Sequence, residues 1–158
     1  MKGHMRIGLA LAAALAWPHA AAAQSDLVDA TDPQRLASLI QGLGYRAQVD
    51  VDGVGDPLLI SSVGGSNFRI YFYGCTDNKG CKSLLYKIGY DLTDGTTLDV
   101  VNGWNSDKLF GRAYLDDEND PWLELSVNMA GGVSQFNFED TFDWWEVIIG
   151  EFEDYIDF

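Results

Sequence analysis

Hydrophobic and polar positions alternate most regularly between Asn67 and Leu92, where the runs FRIYFYGC and CKSLLYKIGYDL flank a polar turn, TDNKG. Aromatic and β-branched residues on both sides of a short polar loop predict a β-hairpin. With Cys75 set opposite Cys81, antiparallel pairing places Tyr73 against Ser83, Phe72 against Leu84, Tyr71 against Leu85, Ile70 against Tyr86, Arg69 against Lys87 and Phe68 against Ile88. Phe68, Ile70 and Phe72 then share a face with Leu84, Tyr86 and Ile88. The cysteine pairing and the hydrophobic alternation specify the same register, and a slip of one residue would break both.

The pattern extends along the chain. Thr31-Asp32-Pro33-Gln34 predicts a helix start, with Gln34 in capping-box position to Thr31. Leu36, Leu39, Ile40 and Leu43 follow as one stripe, ended by Gly44. Tyr45, Ala47, Val49 and Val51 alternate with polar residues as a half-buried strand, and a turn over residues 52–56 leads into a second strand over residues 57–63. Residues 97–106 suit a short helix with Leu98, Val101 and Trp104 on one face. A second hairpin is expected from residues 110–115 and 122–129, with Gly111, Ala113 and Leu115 opposing Val127, Leu125 and Leu123. A long helix starting near Asn137 carries Phe138, Phe142, Trp145, Ile149, Phe152 and Ile156 as a continuous stripe. Trp144, Val147, Ile148 and Tyr155 form a second stripe beside it. The order α-β-β-β-β-α-β-β-α defines an α+β class, an antiparallel β-sheet packed with helices.

Residues 1–23 change the picture. Lys2 and Arg6 precede an apolar run from Ile7 to Trp17, too short to span a bilayer as a mature helix, and Ala21-Ala22-Ala23 offers a cleavage point after Ala23. The expectation is a signal peptide, a periplasmic or secreted protein, one domain over residues 24–158, and no membrane span in the mature chain. The net charge is −14, and removing the leader takes away only basic side chains. Such a surface repels nucleic acid and anionic membrane, leaving a basic protein, a cation or simple solubility. Both histidines, His4 and His19, lie in the leader, so Ser-His-Asp and Cys-His catalysis and most zinc sites are excluded from the expected mature chain. No metal or other cofactor is expected. Two cysteines in an oxidising compartment read as one disulfide, Cys75–Cys81; a redox dithiol would want C-x-x-C spacing at a helix start.

Three surfaces are candidates for binding. The last helix carries Glu139, Asp140, Asp143, Glu146, Glu151, Glu153, Asp154 and Asp157 without Lys or Arg, either as a solvated face or as a docking stripe for a basic partner. The non-core face of the first hairpin presents Arg69, Tyr71, Tyr73, Leu85 and Lys87; that of the second presents Phe110, Arg112, Tyr114, Trp122 and Glu124. Arginine with aromatics is an interface composition, unless a helix of this chain covers that face and pairs its arginines. The directly opposed Arg69 and Lys87 are unfavourable without an anion between them. Residues 50–56 and 116–120 place carboxylates at alternate positions, as calcium loops do, but lack the glycine and glutamate spacing of an EF-hand and read more simply as acidic turns. No G-x-S-x-G, S-x-x-K or phosphate loop is present.

The runs NFRIYFYGCTDNKGCKSL, VNGWNSDKLFGRAYLDDENDPWLELSVN and GGVSQFNFEDTFDWWEVIIGEF resemble the YbjN family of bacterial proteins, over about Leu27 to Tyr155. Members are labelled sensory transduction regulators. The resemblance implies a fold similar to type III secretion chaperones, with helices on a twisted antiparallel sheet, and it admits a homodimer. It brings no catalytic residues. A signal peptide and a cysteine pair set this sequence apart from the better-known cytoplasmic members. The expected function is thus that of a non-enzymatic exported protein-binding domain, chaperone-like or regulatory. Its contacts would be Arg69, Tyr71, Tyr73, Lys87, Arg112, Tyr114 and Trp122, or the acidic last helix. The alternative is a small-molecule or cation-binding module.

Overall fold

The computed structural model describes residues 27–158. The expected signal peptide, residues 1–23, lies outside the described residues. Three helices, α1 (Pro33–Gly42), α2 (Leu98–Asp107) and α3 (Gln135–Ile156), accompany six strands. The strands β1 (Ala47–Val51), β2 (Pro57–Val63), β3 (Ser66–Tyr73), β4 (Ser83–Gly89), β5 (Arg112–Leu115) and β6 (Pro121–Asn128) form one antiparallel sheet, ordered β1-β2-β3-β4-β6-β5. This is the α+β element order that the sequence pattern predicts.

The β3–β4 hairpin has the expected register, from Tyr73 opposite Ser83 to Arg69 opposite Lys87. Cys75 and Cys81 are disulfide-bonded just beyond it, with Cα atoms 3.9 Å apart. The turn itself places Asp77 and Asn78 at φ 50° and 60°, the left-handed pair that suits strand twist in a tight hairpin and that Asp and Asn tolerate best.

The core lies on one face of this sheet. Phe68, Ile70, Phe72, Leu84, Tyr86 and Ile88 point inward and are buried. Above them α3 lays down Phe138, Phe142, Trp145, Ile149 and Phe152, each at most 2% exposed. Trp145 meets Phe68 edge-on at 5.8 Å and Tyr86 at 5.7 Å, and Phe142 lies 6.0 Å from Phe68. Leu36, Ala37 and Ile40 of α1 and Val101 and Trp104 of α2 complete the same cluster. Each large side chain buried this way contributes roughly 1.5–3 kcal/mol of transfer free energy. All three helices therefore pack on the same side of the sheet.

Several details depart from the sequence expectation. Helix α1 is capped by Asp32, whose carboxylate accepts the Arg35 N–H, while Thr31 bonds back to Asp29; the Thr31–Gln34 capping box does not form. In α2, Leu98 is 65% exposed while Val101 and Trp104 are buried. Steps of three residues lag behind a 3.6-residue turn, so Leu98 sits roughly 120° around the helix from Trp104. Val51, closing the edge strand, is likewise exposed. The second hairpin pairs Ala113 with Leu123 and Leu115 with Pro121, two residues away from the expected register. Its turn is tighter than the acidic run suggests: Asp116 N–H bonds to the Asp120 carbonyl, and the Asp116 carboxylate accepts the N–H groups of Glu118 and Asp120. A shift of two keeps each side chain on its face, so the core assignment of Ala113 and Leu123 survives.

Candidate functional site: the helix-free face of the sheet

Strand alternation sends every second side chain away from the helices. On β3 these are Arg69, Tyr71 and Tyr73, on β4 Leu85, Lys87 and Gly89, on β6 Trp122 and Glu124, and on β5 Arg112 and Tyr114. Register pairs then build two cross-strand rows. One runs Arg69, Lys87, Glu124, Arg112 across four strands; the next runs Gly89, Trp122, Tyr114. The described helices leave this face open, and no acid of α3 pairs with Arg69 or Arg112. Phe110 does not join it. Gly111, at φ 81°, turns the chain back toward α3, and the Phe110 ring packs 5.4 Å from that of Trp144.

Glu124 is the centre of the first row. It is 7% exposed, bonded to the Arg112 guanidinium, and 3.3 Å from Lys87 Nζ. Burial alone would raise its carboxyl, but hydrogen bonds from Arg112, Lys87 and Tyr114 outweigh that and hold it below the usual carboxylate range. Lys87 is pulled the same way. Burial disfavours its charge, yet Tyr114 and Glu124 overcome this and leave its ammonium harder to deprotonate than usual. Its Nζ also lies 4.5 Å from the Trp122 ring centroid and 5.3 Å from that of Tyr114, a cation–π contact on two sides. Lys87 turns toward Glu124, which relieves its opposition to Arg69.

The seven residues expected to bind a partner separate into two groups. Lys87, Arg112 and Tyr114 gather around Glu124, and Trp122 joins them through Lys87. Arg69, Tyr71 and Tyr73 stand as an open row on β3; Arg69 is exposed and makes no hydrogen bond or ion pair among the described residues, and Tyr73 is 51% exposed. Sequence reasoning placed Glu124 on this face but missed its central position. The signal was available only through the register, which sets Glu124 between Lys87 and Arg112.

The acids of α3 are partly spent inside the fold. Glu146 accepts the Tyr45 hydroxyl, Glu153 the Ser66 hydroxyl, and Glu151 pairs with Lys108 at 3.0 Å. The hydrogen bond to Glu146 pushes Tyr45 up to about 12, with burial adding to it. The acidic loops are turns of one design. Asp52 accepts the N–H groups of Val54 and Asp56 as Asp116 does those of Glu118 and Asp120, and Gly55 and Asn119 take the left-handed position in each. No group of three or more His, Cys, Asp or Glu side chains able to hold a metal ion occurs among the described residues. None of the described helices is long and apolar enough to cross a membrane.

These features define a small α+β domain whose helices brace one side of a sheet and leave a charged, aromatic side open. Residues 32–158 match the YbjN family, described as "Putative bacterial sensory transduction regulator", and the chain belongs to that family. That description is of a regulator. No curated protein and no solved structure matches the chain significantly.

Proposed function

We propose that this YbjN-family protein is a non-enzymatic, exported regulatory domain that binds a partner protein across the helix-free face of its sheet, in a chaperone-like manner. One observation carries the reading: all three described helices pack on the same face, so Arg69, Tyr71 and Tyr73 stand on the other face of a central strand, Arg69 without a hydrogen bond or ion pair among the described residues. Tyrosine side chains with two rotatable bonds lose little freedom on docking, and tyrosine and arginine dominate interface energetics. The buried Glu124 cluster borders this row and fixes Lys87 and Arg112 in place. Export is supported by the residue pattern of the first 23 positions and by the Cys75–Cys81 bond, which an oxidising compartment sustains.

The test is capture of partners from a bacterial periplasmic extract by the wild-type chain and by the double variant Arg69→Ala/Tyr71→Ala. The reading expects a protein retained by the wild type, released by high salt, and lost by a variant whose melting temperature is unchanged. A variant that melts several degrees lower yet retains every captured protein would show that the row serves stability instead.

A further inference from the structure

Helix α3 lays its buried stripe on the sheet and turns a second periodic stripe outward. Phe136, Asp140, Asp143, Val147, Gly150 and Asp154 recur at steps of four and three, and all are exposed. That spacing is the one by which a helix presents a seam to another helix. The stripe is not merely polar. Phe136 is 76% exposed and Val147 48%, and beside them stands Trp144, 47% exposed. Asp140, Asp143, Trp144 and Val147 enclose a hollow of about 310 Å³ on the helix. Residues at i, i+3, i+4 and i+7 are the four that form the hole into which a facing helix inserts one side chain. Two walls of this hole are apolar and two are carboxylates. Neither Asp140 nor Asp143 makes a hydrogen bond or ion pair among the described residues, and α3 carries no Lys or Arg. Lys108, which does reach the helix, is taken by Glu151 at 3.0 Å, two turns beyond Asp143. The holes on either side have the same sign, with Glu139 joining Asp140 and Asp143 in one and Glu151 joining Asp154 in the other.

We propose that this outward stripe of α3 binds a basic amphipathic helix of a partner protein, which seats an arginine or lysine side chain in the hole formed by Asp140, Asp143, Trp144 and Val147. A long basic side chain matches both kinds of wall. Its methylene stem covers Val147 and the indole of Trp144, and its charged end meets the two carboxylates. An arginine gains further from the indole face. Apolar side chains on the same face of the partner cover Phe136, as in other helix-in-groove complexes. A free cation would satisfy the carboxylates but leave Phe136 and Val147 in water, which favours a protein segment as the occupant. A second copy of this chain is disfavoured, because α3 against α3 would set acidic holes against acidic side chains, at a net charge of −14 per chain. The stripe points away from the sheet, so this site stands or falls independently of the helix-free face.

Amide NMR and isothermal titration calorimetry of the full chain test this with a synthetic helix about as long as α3. It carries leucine and arginine on one face at steps of three and four, and alanine elsewhere. One control replaces its arginines by glutamate; another keeps the composition but shuffles the order, which preserves the charge and removes the one-sided face. The leucine–arginine helix should shift amides over residues 136–154 and bind about tenfold or more tighter than the shuffled peptide, and the glutamate peptide should not bind. The variant Asp140→Lys/Asp143→Lys, changed at two exposed positions, should weaken binding by about tenfold or more; if it fails to fold, Asp140→Asn/Asp143→Asn decides in its place. No binding at millimolar peptide, equal binding of the shuffled peptide, shifts confined to residues outside α3, or undiminished binding by the altered chain would overturn the proposal. Free arginine binding as tightly as the helix would overturn it too. So would shifts in α3 that appear on concentrating the chain alone, which would assign the stripe to a second copy.

Discussion

The indole of Trp122 lies face-on against Gly89, so close that a Cβ on that glycine would come within 2.8 Å of ring carbons Cε2 and Cζ2. The same indole donates its N–H to Asp116 at 2.9 Å and carries Lys87 at 4.5 Å from its centroid. Gly89 is therefore glycine because its cross-strand partner needs the space that a side chain would occupy. Gly89→Ala should displace the ring and lower stability by about 1–3 kcal/mol, the usual range for overpacking. Urea denaturation with tryptophan emission as the probe checks this, and an unchanged midpoint would contradict it.

Glu124 makes an acid-sensitive contribution. Its folded-state carboxyl titrates below the ordinary range, so the stability it supplies is fully present above the unfolded value of roughly 4.3 and is lost as pH falls through the lower folded one. Glu124→Gln keeps the shape and removes the charge. At neutral pH the variant should be less stable by about 1–3 kcal/mol, since Lys87 and Arg112 lose an anionic acceptor. The gap between wild type and variant should close below about pH 4. Denaturation midpoints across the acid range would show this, and a gap independent of pH would refute it.

Asn105 clips α2 to the sheet. Its amide donates to the Ala113 carbonyl at 2.9 Å and its carbonyl accepts the Ala113 N–H at 2.8 Å, while the adjacent Trp104 donates to the Gly111 carbonyl at 2.7 Å. Trp104 and Asn105 together are thus a backbone anchor for the short strand β5. Asn105→Ala should cost about 2 kcal/mol by leaving the two Ala113 groups unpaired. Hydrogen exchange should localise the loss to β5, with Ala113 becoming fast.

The disulfide and the ladder act on the same hairpin, but only the ladder should set its register. Cys75→Ala/Cys81→Ala removes a short closed loop, worth about 2 kcal/mol in the chain-entropy account. The wild-type circular dichroism spectrum should survive in the variant at a lowered melting temperature. A loss of strand signal at low temperature would show that the bond, not the alternation, holds the pairing.

Much of this architecture was legible in the residues. Strict alternation from Phe68 to Ile88 and the long stripe on α3 are strong periodic signals, and the element order and the β3–β4 pairing followed from them. The second hairpin was less secure because an acidic turn can close at more than one length, and the carboxylate of Asp116 chose the tighter one. Leu98 misled because apolar residues at steps of three share a face only briefly on a 3.6-residue helix. Arg69, Tyr71 and Tyr73 were placed correctly on one side of the sheet by alternation alone. That Lys87, Arg112 and Tyr114 converge on Glu124 was not legible, because it depends on which strand lies beside β4. No periodicity in the chain says that β6, not β5, takes that place.

Bracing from one side has an evolutionary corollary. The large apolar side chains of the core sit under the helices, while Arg69 makes no hydrogen bond or ion pair among the described residues and Tyr73 is 51% exposed. On the proposed function, substitutions at Arg69 and Tyr73 retune what the surface prefers at small thermodynamic risk, so one scaffold is able to acquire new specificities by changing a few outward positions on a single strand.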